Sequence, residues 1–318
     1  MARSVVFRNG DRSEEDVDPN RMPELHGPGT VAWMACDPGS SDELDAAAAL
    51  TGIPRERIDA VLTPHRRDRM WRFDERYAIH THIIRPDRNE AEATRLVLLV
   101  SSEALVTCCD DPDLDIGDVL TGTLDTDALA RAGTAEILRA ILQWLVTGYQ
   151  KTALEIDEGI DEIEESLFEE SPTAIDRVQR DTYGLQRRLV LLRRSVLPLR
   201  EDFAELRHLT SRSGPSIGEH LPVRQLDHLL TLIDSLREML VSTLSTNINL
   251  QQNRLNKTMK KLTGWAAVIA IPTFITSWYG MNVPMPAQTE LRGALLASAV
   301  VLAGAAVMYL IFRRKDWL

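Results

Sequence analysis

Residues 262–282 read LTGWAAVIAIPTFITSWYGMN, and this stretch contains no charged side chain. A second uncharged stretch runs from Gly293 to Phe312, and the short connection before it carries only Glu290 and Arg292 as charged residues. Because a bilayer core is about 30 Å thick, about 20 helical residues are needed to cross it. We therefore expect two C-terminal membrane spans, residues 262–282 and 293–312, joined by an extracytoplasmic loop, residues 283–292.

Basic residues flank both expected spans. They are Lys257, Lys260 and Lys261 before the first span, and Arg313, Arg314 and Lys315 in a basic tail, residues 313–318. Lysine and arginine favour the cytoplasmic side of a membrane. We therefore expect a multi-pass protein of the cell membrane with both termini in the cytosol. The N-terminus, Met1 to Asp16, has no apolar run, which predicts that no signal peptide is cleaved.

The remainder of the chain is polar and acidic. Its formal net charge of -11 over 318 residues argues against a nucleic-acid partner, because nucleic acids bind basic surfaces. The three cysteines lack the spacing of a zinc site and fit a reducing cytosol. The sequence has no Walker, Gly-x-Ser-x-Gly or His-Glu-x-x-His motif, so we expect no enzyme. We interpret His80 and His82 as ordinary strand residues.

Residues 1–125 predict a small cytosolic α/β domain. Met1 to Gly29 is charged and interrupted by Pro and Gly, which indicates a mostly irregular segment. Ser40 or Ser41 is expected to cap a helix that runs through Leu50. Apolar, β-branched segments indicate strands. The expected strands are Val31–Cys36, Tyr77–Ile84, Leu96–Val100 and Ala104–Cys108.

Residues 126–261 have a helical pattern. Helices are expected from Leu129 to Phe168, from Pro172 to about Leu209, and from Val223 into the first span. The last helix would be about 80 Å long at about 1.5 Å per residue, which implies a stalk bundled with copies of itself or with neighbouring helices. The first helix carries an acidic run: Glu155, Asp157, Glu158, Asp161, Glu162, Glu164, Glu165, Glu169 and Glu170. Two interpretations stay open, a solvated helix face and an electrostatic element near a cation path.

One face of the first expected span is small or polar. Alternating steps of three and four residues give Asn256, Met259, Thr263, Ala266, Ala270, Thr273, Ser277 and Gly280, and only Met259 among them is neither. The opposite side carries Trp265, Val268, Ile275 and Trp278. A two-span chain has too few helices to enclose a pore, so a wet path along this face requires a ring of subunits. The alternative is tight helix packing with no pore.

The chemistry of that face and of its outer end restricts what could pass. The face has no Asp, Glu or His, so an ion that moved along it would keep its water shell. Where the helix ends, Gly280 would permit close backbone approach or a positive φ. Asn282 offers a neutral carbonyl oxygen that can accept a hydrogen bond from metal-bound water.

The segment Tyr279-Gly280-Met281-Asn282, at the outer end of the first of two C-terminal spans, resembles the CorA-type divalent-cation transporters, the two-span Gly-Met-Asn family. The resemblance covers nearly the whole chain and is strongest from about residue 235 onward. The further segments that resemble the family are Asn253–Thr263, Ile271–Ile275, Arg193–Arg200, His65–Tyr77 and Arg313–Leu318.

The resemblance implies a homopentameric funnel with an α+β cytosolic domain, long stalk helices and a first span that lines the pore. It assigns pore-lining positions to Asn256, Met259, Leu262 and Thr273, with Met259 and Leu262 forming a hydrophobic constriction. Gly280, Met281 and Asn282 would form the outer mouth that captures a hydrated ion at Asn282. The six flanking lysines and arginines would form a positive ring. The partners implied are copies of the chain and membrane lipid, and Mg²⁺ is the transported ion rather than a cofactor.

The sequence departs from the family pattern at two places. Many magnesium-transporting members have an acidic loop soon after the Gly-Met-Asn motif, whereas residues 283–289 here read VPMPAQT. The family's regulatory metal site uses paired aspartates between subunits, and Asp227 and Asp234 do not align with that pair. Three functions therefore stay open: a passive magnesium channel that also takes cobalt or nickel, a ZntB-type proton-coupled zinc carrier, and a non-conducting membrane scaffold or sensor.

Overall fold

The computed structural model describes residues 4–25, 29–63, 70–84, 93–111, 133–167, 172–210, 221–281 and 291–315. The chain divides into two compact units, residues 1–241 and 242–318. The third long helix contributes to both units, and each unit is described by itself.

The first unit contains a seven-stranded sheet. Its strands are β1 (Ser4–Arg8), β2 (Asp11–Glu15), β3 (Thr30–Cys36), β4 (Met70–Phe73), β5 (Arg76–Ile84), β6 (Ala93–Val100) and β7 (Ala104–Cys109). They lie in the order β2-β1-β3-β7-β6-β5-β4. The β3–β7 pair is parallel, and the other neighbouring pairs are antiparallel. The four predicted strands are thus confirmed, each extended by one to three residues.

The expectation of an irregular N-terminus is wrong for the described part of that segment. Strands β1 and β2 form a hairpin whose turn residues, Asn9 and Gly10, have φ angles of 53° and 91°. Asn-Gly with positive φ at both positions is the preferred two-residue hairpin turn. Strand β1 buries Val5, Val6 and Phe7, whereas β2 is a mostly exposed edge strand of charged and polar residues. Because β2 consists of charged and polar residues, its sequence did not indicate a strand, and the hairpin was not predicted. A short 3-10 helix, Pro19–Leu25, follows it.

Two helices cover one face of the sheet. They are α1 (Ser41–Thr51) and α2 (Arg55–Leu62). Helix α2 was not among the elements predicted from the sequence pattern, and neither was strand β4. The predicted cap of α1 is confirmed, because Ser40 Oγ accepts a hydrogen bond from the Glu43 backbone N–H at 3.4 Å. Leu44, Leu50 and Ile58 lie in the core on this face together with Met34 of β3.

Two buried thiols lie in the same core. Cys36 of β3 is the register partner of Cys108 of β7. The hydrogen bond to Cys36, together with burial, raises the pKa of the Cys108 thiol well above its ordinary value. Cys108 is therefore a neutral thiol packed in the core.

Two further helices extend the first unit, α3 (Thr134–Ser166) and α4 (Pro172–Thr210). Helix α3 lies against the sheet, where Tyr149 Oη is 3.1 Å from Thr81 Oγ1 of β5. The helix predicted to begin at Leu129 is confirmed from Thr134, and residues 129–132 lie outside the described ranges. The second predicted helix is confirmed over its whole length.

The third helix, α5 (Val223–Tyr279), is unbroken as predicted. Its first turns, within the first unit, run antiparallel to α4. Arg193 Nε lies 3.2 Å from Asp234 Oδ1, and Arg200 Nε lies 2.6 Å from Asp227 Oδ1. The two stalk aspartates are thus each paired with an arginine of the same chain.

The acidic run on α3 lies along the water-facing side of that helix. Ile156, Ile160 and Ile163 bury the opposite side. Glu155 pairs with Arg188 of α4 at 2.7 Å, whereas Glu158 and its acidic neighbours further along are exposed. Glu169 and Glu170 lie outside the described residues. Within the single chain, this arrangement is that of a solvated helix face.

The second unit contains the rest of α5 and helix α6 (Leu291–Arg314). The two helices pack closely, because Ile271 Cγ2 lies 3.1 Å from the position that a Cβ would occupy on Gly304. The less exposed residues of α5 fall on one face, and so do those of α6. On α5 they include Gly264, Val268, Ile271 and Ile275, and on α6 they include Gly293, Ala297, Val301, Gly304 and Met308. Small residues at such a contact let two helix backbones approach closely.

Among the described helices, one segment is long and apolar enough to cross a membrane by length and composition, namely Leu295–Arg314. It overlaps the predicted second span, residues 293–312. The predicted first span lies inside α5, where Pro272, Thr273 and Ser277 lower its apolar character. That span and the predicted division of the chain into six segments stay predictions.

Candidate cation path

The predicted pore-lining face lies on the side of α5 that α6 leaves uncovered. Its residues from Asn256 to Gly280 are all exposed in the single chain. At about 100° per helical residue, the centre of this face lies about 150° around the axis from the face that packs on α6. A polar stripe pointing away from its own hairpin partner is available to water or to another copy of the chain.

The predicted constriction residues are also uncovered. Met259 is 58 % exposed and Leu262 is 64 % exposed. Met259 lies on the stripe, and Leu262 lies at its edge. Large apolar side chains left bare in a single chain mark a surface that contacts lipid or another protein.

Sequence reasoning missed an apolar series that runs beside the stripe. Ile248, Leu255, Leu262 and Ile269 are each exposed and recur every seven residues. A seven-residue apolar repeat on a long helix is the signature of packing against other helices in a bundle. The repeat is visible in the sequence and would have been found by counting in sevens, although only Leu262 was selected.

Two threonine hydroxyls near the C-terminal end of α5 are hydrogen-bonded within the helix. Thr273 Oγ1 donates to the Ile269 carbonyl at 2.9 Å. Thr276 Oγ1 donates to the Pro272 carbonyl, also at 2.9 Å. Because the Thr273 hydroxyl proton is used in this bond, the hydroxyl oxygen can take part in further hydrogen bonds only as an acceptor. Thr273 lies on the exposed face. A neutral acceptor of this kind can take a hydrogen bond from water around a cation.

The C-terminal end of α5 decides between the two alternatives expected for Gly280, a close backbone approach and a positive φ. The helix ends at Tyr279, and the Gly280 backbone N–H still donates to the Thr276 carbonyl at 3.0 Å. Gly280 is not among the described glycines with positive φ, which excludes the second of the two alternatives. The close approach is present instead, because a Cβ on Gly280 would lie 3.3 Å from Thr276 O. Met281 is exposed, and Asn282 lies outside the described residues, so its role stays a prediction.

The flanking basic residues fall at one end of the helix pair. All six are exposed. Eleven residues, 280–290, join the two helices, and helices joined by a short connection lie antiparallel. Counting outward from the Ile271–Gly304 contact brings Lys261 level with Arg314. Six cationic side chains are thereby concentrated at the end of the pair where positive charge favours the cytoplasmic surface.

Within the part of the chain that the structure describes, no group of three or more His, Cys, Asp or Glu residues could hold a metal ion. The stripe itself carries neutral side chains. Any cation recognised along it would be held through water and neutral oxygens.

Comparison with known proteins gives a consistent result. A family model described as CorA-like Mg2+ transporter protein matches residues 28–314. The cobalt/magnesium transport protein CorA of Thermotoga maritima is 27% identical over 293 residues, which cover 87% of this chain and 80% of that protein. The protein of the same name from Methanocaldococcus jannaschii is 24% identical over 296 residues, covering 91% and 92%.

Two solved structures share the fold. The complete structure of the CorA magnesium transporter from Methanocaldococcus jannaschii matches with a TM-score of 0.77 at 21% identity, covering 100% of this chain and 99% of that one. The full-length CmaX protein matches with a TM-score of 0.73 at 19% identity, covering 99% and 97%. At these identities, the likeness is one of fold.

Proposed function

Because this chain belongs to the CorA-like Mg2+ transporter family, we propose that it is a passive channel for hydrated Mg²⁺ in the cell membrane, with Co²⁺ and Ni²⁺ as further ions. At the level of the family, the chain is a divalent-metal transporter rather than an enzyme. The observation that carries the finer proposal is the exposed polar stripe on α5, which points away from the face that packs on α6.

The path requires a ring of copies, which we take to be a homopentamer. Helix α6 cannot shield the stripe from lipid, because it packs on the other side of α5. Polar groups within a membrane must face protein or water. The apolar series Ile248, Leu255, Leu262 and Ile269 supplies a contact by which neighbouring α5 helices would pack. The stripe would then face the axis of the ring.

The ion enters at the outer mouth formed by Gly280, Met281 and Asn282. The amide of Asn282 accepts hydrogen bonds from the water shell, and the neutral stripe below it lets the shell stay in place. An inside-negative potential favours entry by about 2.3 kcal/mol per elementary charge per 100 mV. No ionisable side chain on the stripe is available to couple the movement to protons.

Met259 and Leu262 form the gate. In a symmetric ring each residue becomes a collar of apolar side chains, and a narrow apolar collar excludes water. A hydrated divalent ion does not cross a dry segment cheaply. The basic residues at the same end of the helix pair lie at the cytoplasmic surface and oppose the crowding of cations there.

The test is ion uptake into proteoliposomes that contain the purified full chain. Mg²⁺, Zn²⁺, Co²⁺ and Ni²⁺ are compared with and without a pH gradient, under an inside-negative potential. The proposal predicts Mg²⁺ uptake that is unchanged when the pH gradient is removed. Zn²⁺ uptake that requires the gradient would identify a proton-coupled zinc carrier instead. Absence of uptake for all four ions by intact oligomers would identify a non-conducting scaffold. The matched control is Leu302→Ala, an exposed residue on α6 away from the stripe.

A further inference from the structure

Helices α3 and α4 of the first unit expose two faces of opposite charge. The acidic face on α3 consists of Leu154, Glu158, Asp161 and Glu165, in steps of four and three residues. The basic face on α4 consists of Arg180, Tyr183, Arg187 and Val190, in steps of three and four. Residues at this spacing share one side of a helix. Each face also carries bare apolar groups, since Leu154 is 56 %, Tyr183 is 70 % and Val190 is 43 % exposed.

The two faces cannot meet within one chain. Helices α3 and α4 contact each other through Glu155 and Arg188, and through Gly159, where a Cβ would lie 2.9 Å from Leu185 Cδ2. At about 100° per residue, the acidic face lies about 110° around α3 from this contact, and the basic face lies about 150° around α4 from it. Each face is therefore turned away from the other helix of its own pair.

We propose that the acidic face of one copy docks on the basic face of the next, so that α3 and α4 helices alternate around the cytosolic part of a ring. A surface that meets a different surface of an identical neighbour forms a head-to-tail contact, and repetition of that contact gives a ring when the rotation from copy to copy closes. The occupant of each face is thus a second copy of this chain, selected by charge complementarity.

The register of the antiparallel pair supports this docking. The contacts Glu155–Arg188 and Gly159–Leu185 define which residues of α3 and α4 lie at the same level. The copies in a ring are related by rotation about its axis. With that axis parallel to the helices, the rotation leaves the position of each residue along the axis unchanged. The facing pairs would be Leu154–Val190, Glu158–Arg187, Asp161–Tyr183 and Glu165–Arg180. These are one apolar pair, two ion pairs, and one pair in which a tyrosine hydroxyl can donate to a carboxylate.

The series of complementary pairs ends at Leu154 and Val190. The next pair along the two helices would be Lys151 of one copy and Arg194 of the next. Both residues are exposed. Like charges in direct opposition are unfavourable. The complementary region therefore runs from Leu154 to Glu165 on α3, and the position of this end fixes the register of the contact.

Cysteine cross-linking of the full chain in its membrane tests the contact. In Leu154→Cys/Val190→Cys, the two new thiols lie on opposite sides of one chain, so a disulfide between them joins two copies. Mild oxidation should give a ladder of covalent oligomers with the double variant. All variants are built on Cys109→Ser, because Cys109 is half-buried whereas Cys36 and Cys108 are buried. The Cys109→Ser chain and either single variant should give no ladder, because a head-to-tail contact needs both positions. A mixture of the two single variants should stop at covalent dimers.

Charge reversal provides the second readout. Glu158→Arg or Arg187→Glu alone, in the cross-linking background, should lower the yield of the ladder about fivefold, the scale expected from one exposed ion pair. Combining the two reversals should restore the yield. Glu164→Arg makes the same charge change about 90° away on α3 and should leave the yield unchanged. These variants lie outside the cation path, so a channel that failed to conduct Mg²⁺ would leave the cross-linking result intact.

Two results would overturn the docking. One is the absence of a ladder from the double variant in membranes where the oligomer is intact. The other is equal cross-linking by Leu154→Cys alone, which would indicate a two-fold contact between acidic faces.

Discussion

Ile271 of α5 packs so closely on Gly304 of α6 that a methyl group on Gly304 would lie 3.1 Å from Ile271 Cγ2. This contact sets how near the two helices approach, and through them which side of α5 stays open. Glycine fits here because even a methyl group would require Ile271 to move by a few tenths of an ångström. The exposed stripe of α5 exists as an open face because the opposite face is held against α6 at this point.

The first prediction concerns this contact. Gly304→Val should destabilise the helix pair by about 1–3 kcal/mol, as overpacking does in a close contact. Thermal unfolding of the detergent-solubilised protein measures the loss, and Ile271→Ala in the same chain should recover part of it. Ala306→Val, at an exposed position of α6, is the matched control. Equal stability of both valine variants would show that the close approach does not matter.

The second prediction concerns the outer mouth. Gly280→Ala places a methyl group 3.3 Å from the Thr276 carbonyl oxygen, a tight contact that requires a displacement of a few tenths of an ångström at the end of the helix. Asn282→Asp keeps the size of the side chain but adds a negative charge in each copy, which should hold cations more tightly and slow their release. Both variants should assemble normally and lose Mg²⁺ flux. Undiminished flux in both variants would show that the Gly-Met-Asn motif is a turn without a role in conduction.

The third prediction concerns the gate. Leu262→Ala should widen the apolar collar and raise leak through the closed channel, and Leu262→Asp should raise it further because a carboxylate holds water in the constriction. Leak is measured as flux per intact oligomer, beside the melting temperature. A residue that only packs on a neighbour would instead lower stability by about 2–5 kcal/mol with no added leak. Leu302→Ala serves as the control for loss of side-chain volume alone.

The fourth prediction concerns topology. The basic residues at one end of the helix pair predict that both termini lie in the cytosol. A membrane-impermeant thiol reagent added outside intact cells should label Gln288→Cys and leave Trp317→Cys unlabelled. Permeabilised cells should label both variants. Labelling of Trp317→Cys in intact cells would reverse the orientation.

The long helices could be predicted from the sequence because their periodic patterns run for many turns between clear breaks. Pro172 and the stretch before Val223 mark their ends, and the structure places the ends at the same residues. The helix cap at Ser40 was equally readable, because a serine hydroxyl before two acidic residues satisfies a local rule. Local signals of this kind can be recognised in the sequence without knowledge of the rest of the fold.

Features that depend on distant partners could not be predicted in the same way. Strand β2 is polar because it is an edge strand, so its pairing with β1 is visible only through the Asn9-Gly10 turn. The parallel pairing of β3 with β7 joins segments about 70 residues apart, and local pattern does not encode it. For Gly280 the sequence left close approach and a positive φ both open, and the structure shows a backbone that continues the helical hydrogen bonding.

The candidate path was predictable as a set of positions but not as an open surface. Spacing alone places the residues from Asn256 to Ser277 on one face of a helix. Whether that face packs on α6 or stays open depends on the Ile271–Gly304 contact, which the sequence pattern does not specify. The structure separates these two possibilities for the single chain.

The most direct test of the central claim, that this stripe lines the ion path, is chemical block of Mg²⁺ flux. Ser277→Cys places a thiol on the stripe near the outer mouth, and Leu302→Cys places one on an exposed site of α6. Both are treated with a cationic thiol reagent, and uptake is measured after complete labelling is verified. We expect that labelling of Ser277→Cys abolishes flux, because a bulky fixed charge then occupies the path, while labelled Leu302→Cys conducts as before. Full flux through completely labelled Ser277→Cys would contradict it.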